Sequence, residues 1–484
     1  MPVQPGPLDH SVYQNPLVER YSSEAMLRNF SSDARYRTWR DLWIGLAEIE
    51  SELGLDIRPE QIEQLKASRE TIPYERVREL ERELRHDVMA HIRAFGEQAP
   101  DAAGIIHLGA TSCFVTDNAD LVLAKKGLEL IAQQLAALLH SWRQIALEHR
   151  SLPTLAYTHY QPAQLTTLGK RVCLWAQDFL MDLQEVERLR DGLRFRGTKG
   201  ATGTQASFLR LFDGNGDKVR ELDRRLAKRM GFSDTFTITG QTYTRKLDAQ
   251  ILNVLSGIAL TAHKCTNDLR LLQGVGEIEE PFGKSQVGSS AMPYKRNPMM
   301  MERMSSLAKW VMTEAQNGAW VASTQWFERT LDDSANRRLS IPQAFLAVDA
   351  MLILANRVAE GLVVYPKVIE RRVREELPFI AVENILMLAV KMGGDRQQLH
   401  ERLREHCMAV AEARRAGATE NTLLQRIRDD EAFASVRDAL DGLMIPENFY
   451  GRAPDQVVEF VESEVEPALA SYDLTKEGGW EVTV

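Results

Sequence analysis

Three long segments in the middle of the chain place apolar residues at alternating spacings of three and four positions. They cover about residues 117–150, 162–195 and 242–272. This heptad pattern is typical of long helices that pack side by side in a bundle. Each predicted helix has over 30 residues, so it spans roughly 45–50 Å and needs partner helices on more than one side. We therefore expect association with other copies of the chain, with a monomeric helical bundle as the alternative.

Residues that favour helix starts stand near the beginning of the first two segments. Asp117 is a suitable N-cap for the first helix, and Pro162 suits the first turn of the second. Two further helices are predicted at about 299–316 and 334–361, with a kink or offset at Pro342. The chain shows little strand signal, so we predict an all-α fold.

The heptad pattern ends near residue 365, and shorter, more charged amphipathic helices are predicted from there onward. This change in pattern predicts three domains. They are an N-terminal helical domain at 1–111, a central long-helix bundle at 112–364 and a C-terminal helical domain at 365–484.

Charge and cysteine usage limit the classes of function. The net charge of −9 argues against a dedicated nucleic-acid-binding protein, but it leaves room for a local basic pocket that binds a small anion. The chain begins without a basic start followed by an apolar run, and it has no stretch of about 18 apolar residues. We expect a cytoplasmic protein without a membrane span. The four cysteines have no metal-binding or disulfide spacing and are expected to be small buried hydrophobes: Cys113, Cys173, Cys265 and Cys407.

The most informative segment is GSSAMPYKRNP at 288–298. Its glycine and two serines form a loop whose backbone N–H groups can face an anion. Lys295 and Arg296 add cations, Asn297 adds a neutral donor, and Pro298 opens the next helix, whose end donors lie nearby. This combination predicts a site for a carboxylate on which negative charge grows during a reaction. A basic surface loop is the alternative.

Three histidines are candidates for acid–base chemistry, although a lone histidine is more often structural. His86 lies in RHDVMAH, His107 in HLGATS and His159 in THYQPAQ. His107 and His159 each precede a polar run that leads into a long helix. If those helices pack side by side, the two loops can meet at one end of the bundle, within one subunit or across subunits. A histidine there can donate a proton near neutral pH.

The segment FERTLDDSANRR at 327–338 is rich in arginine, and arginines bind phosphate and carboxylate groups through paired donors. Arg20 and Arg85 lie upstream, and Arg303 follows the 288–298 loop. A solvated charge run is the usual alternative. Trp326 and Phe327 lie next to the charges and favour a partly buried run.

The 288–298 segment resembles the signature loop of the fumarase/aspartase superfamily. The other segments are similar to those of the adenylosuccinate lyase family, in the same order from about residue 10 to 470: RHDVMAH, HLGATS, THYQPAQLTT, TGQTYTRK and ERTLDDSANRR. The resemblance implies a three-domain all-α subunit whose long helices join a twenty-helix core in a homotetramer. It also implies active sites built from three subunits.

The resemblance implies an anti β-elimination that releases fumarate from adenylosuccinate, giving AMP, and from the succinylated carboxamide ribotide of purine biosynthesis, giving AICAR. Ser289 would be the general base, with Ser290 as a rival that spacing does not exclude. Lys295 and Asn297 would stabilise the carboxylate, and His159 would protonate the departing nitrogen. Glu302 would orient this histidine. No metal or organic cofactor is implied.

The resemblance also assigns substrate contacts. His86 and His107 match positions at the substrate phosphate and the floor of the site. The remaining matches are Arg20, Tyr21, Arg85, Asp87, Gln241, Arg303, Arg329, Ser334 and Arg338, with Thr111 and Ser112 near the succinyl carboxylate. One departure is Tyr294, which stands where many relatives have histidine, so no ring nitrogen can act there.

Two alternatives stay open. Another superfamily member, such as an argininosuccinate, fumarate or aspartate lyase, would share the 288–298 loop but lack the phosphate-directed arginines of 327–338. A helical scaffold without activity is the second alternative. The presence of His159, Ser289 and Lys295 argues against it.

Overall fold

A computed structural model describes residues 11–474 of the chain. Most of this part is helical, and its strands form only two short antiparallel pairs. The predicted all-α class is therefore confirmed. The described N-terminal part contains five α-helices: α1 (Glu24–Asn29), α2 (Ser32–Glu52), α3 (Pro59–Ala67), α4 (Tyr74–Leu84) and α5 (Asp87–Gln98).

The middle of the chain holds the long helices and all four strands of the described part. In chain order its elements are α6 (Ser112–Glu148), β1 (Pro153–Thr158), β2 (Gln161–Thr167), α7 (Leu168–Asp191), α8 (Ala206–Leu211), α9 (Gly216–Arg229), α10 (Lys246–Gly274), β3 (Ile278–Glu279), α11 (Met299–Glu314), α12 (Gln316–Ser323), α13 (Asp333–Gly361) and β4 (Val363–Val364). Helices α6, α7, α10, α11 and α13 pack against one another and bury one continuous apolar core.

The starts of the first two long helices differ from the prediction. Helix α6 begins at Ser112 with Thr111 as its N-cap, so Asp117 lies inside the helix, where it is buried and paired with Arg245. Helix α7 begins only at Leu168, because Pro162 belongs to a hairpin strand. The helices contain 37, 24 and 29 residues, so only α6 exceeds 30.

The β1–β2 hairpin was not predicted. Its segment contains several threonine and tyrosine residues, which are common in strands, but the sequence analysis places a helix start at its proline. Pro162 pairs opposite Tyr157, and a proline is tolerated at such a position on an edge strand. Helix α13 continues through Pro342, and the kink or offset expected there stays a prediction.

Helices α6 and α7 approach each other closely at Gly169. A β-carbon at this glycine would lie 2.3 Å from the backbone oxygen of Ala146 on α6 and 2.6 Å from the α-carbon of Arg150. No side chain fits there, so the glycine is required for the α6–α7 packing.

Within residues 11–474, α13 is the one helix with the length and apolar content of a membrane span. However, 78% of its apolar window is buried inside the protein, as in the central helix of a bundle. The cysteines form no disulfide. Cys113, Cys173 and Cys265 are buried as predicted, and Cys407 is half-buried.

The C-terminal part consists of shorter helices, as the pattern change near residue 365 predicts. They are α14 (Pro366–Ile380), α15 (Val382–Lys391), α16 (Arg396–Arg415), α17 (Leu423–Asp429), α18 (Leu440–Leu443), α19 (Ala453–Phe460) and α20 (Glu466–Leu469). Residues of α15 to α18 share a separate small core that includes Leu403 and Phe433. Val457 of α19 returns to the main core. The three-domain division with boundaries at 111 and 364 stays a prediction.

Candidate active site

A cavity of about 670 Å³ opens where the α4–α5 junction, the first turns of α6 and the start of α13 meet. Eight of the predicted site residues line it: Arg85, His86, Asp87, Ser112, Gln241, Arg329, Ser334 and Arg338. They come from four separate sequence segments, which the fold brings to one wall.

The α4–α5 junction is a sharp turn that directs three consecutive polar residues toward the cavity. Helix α4 ends at Leu84. The C-cap residue Arg85 has a left-handed φ of 51°, which is uncommon for a residue other than glycine. His86 then caps α5, because its Nδ1 accepts a hydrogen bond from the Met89 N–H at 3.4 Å. Its Nε2 lies 3.4 Å from the Ser112 hydroxyl, and since Nδ1 accepts, we assign the ring proton to Nε2.

Three arginines of this wall are predicted site residues: Arg85, Arg329 and Arg338. Arg338 donates to the Asp87 carboxylate at 3.1 Å, and Arg329 donates to Asp333 at 2.8 Å. The Arg85 side chain has no hydrogen bond or ion pair with any described residue of this chain. An arginine without an acidic partner favours an anionic ligand, because the guanidinium offers five donors in a fixed fork.

A buried ion network that the sequence did not predict also borders the cavity. Arg245 donates to Asp117 at 3.0 Å and to Asp333 at 2.6 Å. Arg337 donates to Asp248 at 2.6 Å and to the Tyr243 hydroxyl at 2.6 Å. Because Asp333 bonds both Arg245 and the cavity residue Arg329, the network fixes the orientation of the cavity arginine.

The charges of this network compensate one another. Burial would raise the pKa of Asp117, but the nearby Arg245 and Arg337 hold it below its usual value, so the carboxylate stays ionised. Burial raises the pKa of the Tyr243 phenol well above its ordinary value, so it stays protonated. The sequence alone predicts a helix cap at Asp117. Its neighbours Thr116, Asn118 and Asp120 are also polar, so no local pattern indicates the buried ion pair with the distant Arg245.

His107 does not border the cavity. It is largely buried, and its Nδ1 accepts a hydrogen bond from the Trp43 indole N–H at 2.9 Å. Burial lowers the pKa of this imidazole to about 4, with a smaller contribution from His86, so His107 is uncharged at neutral pH. Its ring packs against Phe114, and its predicted place at the floor of the site stays a prediction.

Gln241 and the start of α6 complete the cavity edge. The Gln241 side chain donates to the Ala201 carbonyl at 3.1 Å, and its backbone N–H donates to the Glu328 carbonyl at 3.0 Å. Ser112 borders the cavity, whereas Thr111, the N-cap of α6, does not.

The predicted run at 327–338 is partly buried, as expected, but not through its aromatic neighbours. Asp333 and Arg337 are buried in the ion network. Trp326 is 70% exposed and Phe327 is fully exposed with a φ of 45°. These aromatic side chains at the edge of the cavity region contact solvent in the single chain.

His159 lies at the tip of the β1–β2 hairpin and is exposed. It and Tyr160 form the two-residue turn, with φ values of 52° and 57°. Neither of them borders the cavity within this chain, so the predicted meeting of the His107 and His159 loops does not occur in one subunit.

The 288–298 loop is also separate from the cavity. The Ser289 hydroxyl accepts from the Met292 N–H at 3.2 Å, and Asn297 donates to the Gly288 carbonyl at 2.9 Å. Both bonds are internal to the loop. Lys295 is exposed, and its ammonium has no partner among the described residues.

The helix-end donors after Pro298 are already occupied, contrary to the prediction that they face an anion. The buried Glu280 carboxylate accepts from the N–H groups of Met300 and Met301, each at 3.1 Å. Burial raises the pKa of Glu280, and these backbone bonds oppose the rise. Glu280 acts as a distant cap, which the sequence did not indicate.

The remaining predicted residues do not border the cavity: Arg20, Tyr21, Glu302 and Arg303. The Arg303 guanidinium stands 5.3 Å from the centre of the Tyr21 ring, which is next to Arg20. Glu302 lies 3.9 Å from Arg270, and no contact with His159 exists within this chain. No group of three or more His, Cys, Asp or Glu side chains in residues 11–474 is arranged to hold a metal ion.

Comparisons with known proteins agree on a family. A sequence model described as "Lyase" matches residues 61–313, and one described as "Adenylosuccinate lyase C-terminus" matches 378–460. The adenylosuccinate lyase of Saccharomyces cerevisiae is 50% identical, covering 96% of this chain and 97% of the relative. That of Schizosaccharomyces pombe is 48% identical over the same shares.

Solved structures show the same fold at lower identity. The crystal structure of 3-carboxy-cis,cis-muconate lactonizing enzyme from Pseudomonas putida matches with a TM-score of 0.80 at 23% identity, covering 94% of this chain and 100% of that one. At this identity the match supports the fold alone, whereas the relatives at about half identity decide the family. The chain belongs to the adenylosuccinate lyase family.

Proposed function

We propose that this protein cleaves adenylosuccinate to AMP and fumarate by anti β-elimination, and the succinylated carboxamide ribotide to AICAR in the same way. The observation that carries the proposal is the arginine-lined cavity of about 670 Å³. Arg85, Arg329 and Arg338 converge there, and a phosphate monoester is the ligand that such a set suits. His86 and Ser112 add further hydrogen-bond donors beside them.

The chemistry follows from the charges of the substrate. Removing the proton beside a carboxylate places additional negative charge on that group, which Lys295 and Asn297 are proposed to stabilise. Ser289 is proposed as the base. A serine hydroxyl is weakly acidic, so it needs the loop N–H groups and the Lys295 ammonium around it before it can accept the proton.

The departing nitrogen leaves poorly as an anion, so we propose His159 as the group that protonates it. Its exposed position at a hairpin tip suits a residue that reaches into a neighbouring site. Glu302 is proposed to orient it there. The reaction needs no metal or organic cofactor.

We propose that active sites form between subunits of a homotetramer, since His159, Ser289 and Lys295 stand apart from the cavity in one chain. Exposed apolar side chains support this assembly. Leu174 and Met181 are 51% and 60% exposed at a heptad spacing on α7, and Leu260 on α10 is 61% exposed. A partner helix would cover such a stripe.

The test is an absorbance assay of the purified protein with adenylosuccinate, run beside argininosuccinate. We expect loss of adenylosuccinate with equal release of AMP and fumarate, and no cleavage of argininosuccinate. Cleavage of argininosuccinate alone would favour the other superfamily activity. Absence of both activities in an intact tetramer would favour the scaffold.

A further inference from the structure

We infer that Tyr157 and Arg372 are positioning residues for His159, because they anchor the hairpin that carries it. The inference rests on the role proposed above for His159 as proton donor. It adds a specific connection between that residue and the C-terminal helix α14.

The tip of the hairpin is strained. His159 and Tyr160 both have left-handed φ values, and Thr158 pairs with Gln161 across the turn. Two-residue hairpin turns of this kind favour glycine and asparagine, and other residues there cost free energy. Such a conformation persists only where the surrounding structure holds it.

Backbone pairing alone does not fix the tip. The register of the hairpin is irregular between Leu155 and Tyr157, which is the part of β1 next to the turn. An irregularity of this kind interrupts the ladder of hydrogen bonds and bends the strand. A side-chain anchor close to the turn would restore the lost restraint.

Tyr157 supplies this anchor. Its hydroxyl accepts a hydrogen bond from Arg372 Nη2 at 2.9 Å, and Arg372 Nε donates to Glu277 at 2.9 Å. Glu277 is 1% exposed and also accepts from the Thr154 hydroxyl on β1 at 3.4 Å. A buried carboxyl group with hydrogen bonds to both Arg372 and Thr154 is costly to displace. The hairpin is thus tied through one arginine to α14.

The Tyr157 ring also contacts a residue of the turn. The rings of Tyr157 and Tyr160 lie 5.9 Å apart, and Tyr160 is adjacent to His159 in the turn. Movement of the Tyr157 ring would therefore change the orientation of the turn. Small displacements of a catalytic group can lower a rate by large factors, because the reacting atoms must be aligned.

The experiment compares Tyr157→Phe with Tyr450→Phe in the full-length protein. Tyr157→Phe removes only the hydroxyl that accepts from Arg372. Tyr450 packs against the same apolar cluster and lines the same small cavity beside the hairpin, but its hydroxyl bonds no described residue. Adenylosuccinate cleavage, tetramer content and melting temperature are measured for both.

We expect Tyr157→Phe to lower kcat by about tenfold with KM within about twofold, since alignment and not binding is changed. Tyr450→Phe should keep the wild-type kcat. Arg372→Lys should recover part of the activity lost in Arg372→Ala, because lysine can keep one of the two bonds.

The inference is overturned if Tyr157→Phe keeps the wild-type kcat, if Tyr450→Phe loses as much, or if the loss appears only in KM or thermal stability. Failure of the proposed function has a different signature. In that case the wild-type protein itself does not cleave adenylosuccinate.

Discussion

The buried carboxyl group of Glu50 should make the stability of the protein depend on pH. It lies on α2 with no exposed surface, and neither of its carboxyl oxygens has a hydrogen-bond partner among residues 11–474. Burial of this unpaired group raises its pKa from 4.5 to about 9. Glu50 is therefore protonated in the folded protein at neutral pH, although it is ionised in the unfolded chain.

The sign of the pH effect follows from this difference. Below pH 4.5 both states hold the proton, and above pH 9 both are ionised, so stability changes between these values. In that window the folded state binds one more proton, and the free energy of unfolding falls by about 1.4 kcal/mol for each unit of rising pH. Between pH 5 and pH 8 the loss is about 4 kcal/mol.

The perturbation is Glu50→Gln, which keeps the shape and removes the titration. We expect this variant to gain thermal stability over wild type as pH rises from 5 to 8, measured as the melting temperature in one buffer series. Glu52→Gln is the control, since Glu52 lies on the same helix with a side chain that is 60% exposed and paired with Arg225. A Glu50→Gln difference that is equal at pH 5 and pH 8 would refute the burial argument.

Three further outcomes are expected. Asp333→Asn should lower the melting temperature, because it breaks a buried ion network at a cost of about 3–5 kcal/mol. It should also raise KM, because Arg329 loses its carboxylate partner. An unchanged melting temperature and an unchanged KM would contradict the role of the network. Gly169→Ala should reduce stability by about 1–3 kcal/mol or more in a melting experiment, because its β-carbon would overlap the α6 backbone. The control is Gly104→Ala, which should have little effect because Gly104 has open space around it. Dialysis against a chelator should leave the rate of adenylosuccinate cleavage unchanged, and a loss restored by a divalent metal would contradict an elimination that needs none.

The long helices were predictable because their signal is local. The apolar spacing within α6 and α10 depends only on neighbouring turns, so it predicts a helix without knowledge of the partner. Helix starts were less predictable. Asp117 has the chemistry of a cap, and only the distant Arg245 turns it into a buried ion pair. Glu280 caps α11 from outside that helix, so no local pattern could indicate it.

The candidate site was predictable residue by residue, but its arrangement was not. Family resemblance named Arg85, Arg329 and Arg338, and the fold brings them to one cavity. The same resemblance named His159 and Ser289, which the single chain leaves elsewhere. Their relation to the cavity depends on subunit association, and a sequence pattern carries no distances between subunits.

The most direct test of the account is complementation between two inactive variants. His159→Ala and Ser289→Ala should each abolish adenylosuccinate cleavage while remaining tetrameric. The two proteins are then mixed, unfolded and refolded together so that hybrid tetramers form.

Suppose that the His159 and Ser289 of one site come from different subunits. A hybrid site is then intact when its His159 comes from a Ser289→Ala subunit and its Ser289 comes from a His159→Ala subunit. Random mixing of equal amounts should then restore about a quarter of the wild-type rate, because each of two independent subunit choices is right half the time. If hybrid tetramers form but stay inactive, both residues act within one subunit, and the shared-site account is wrong.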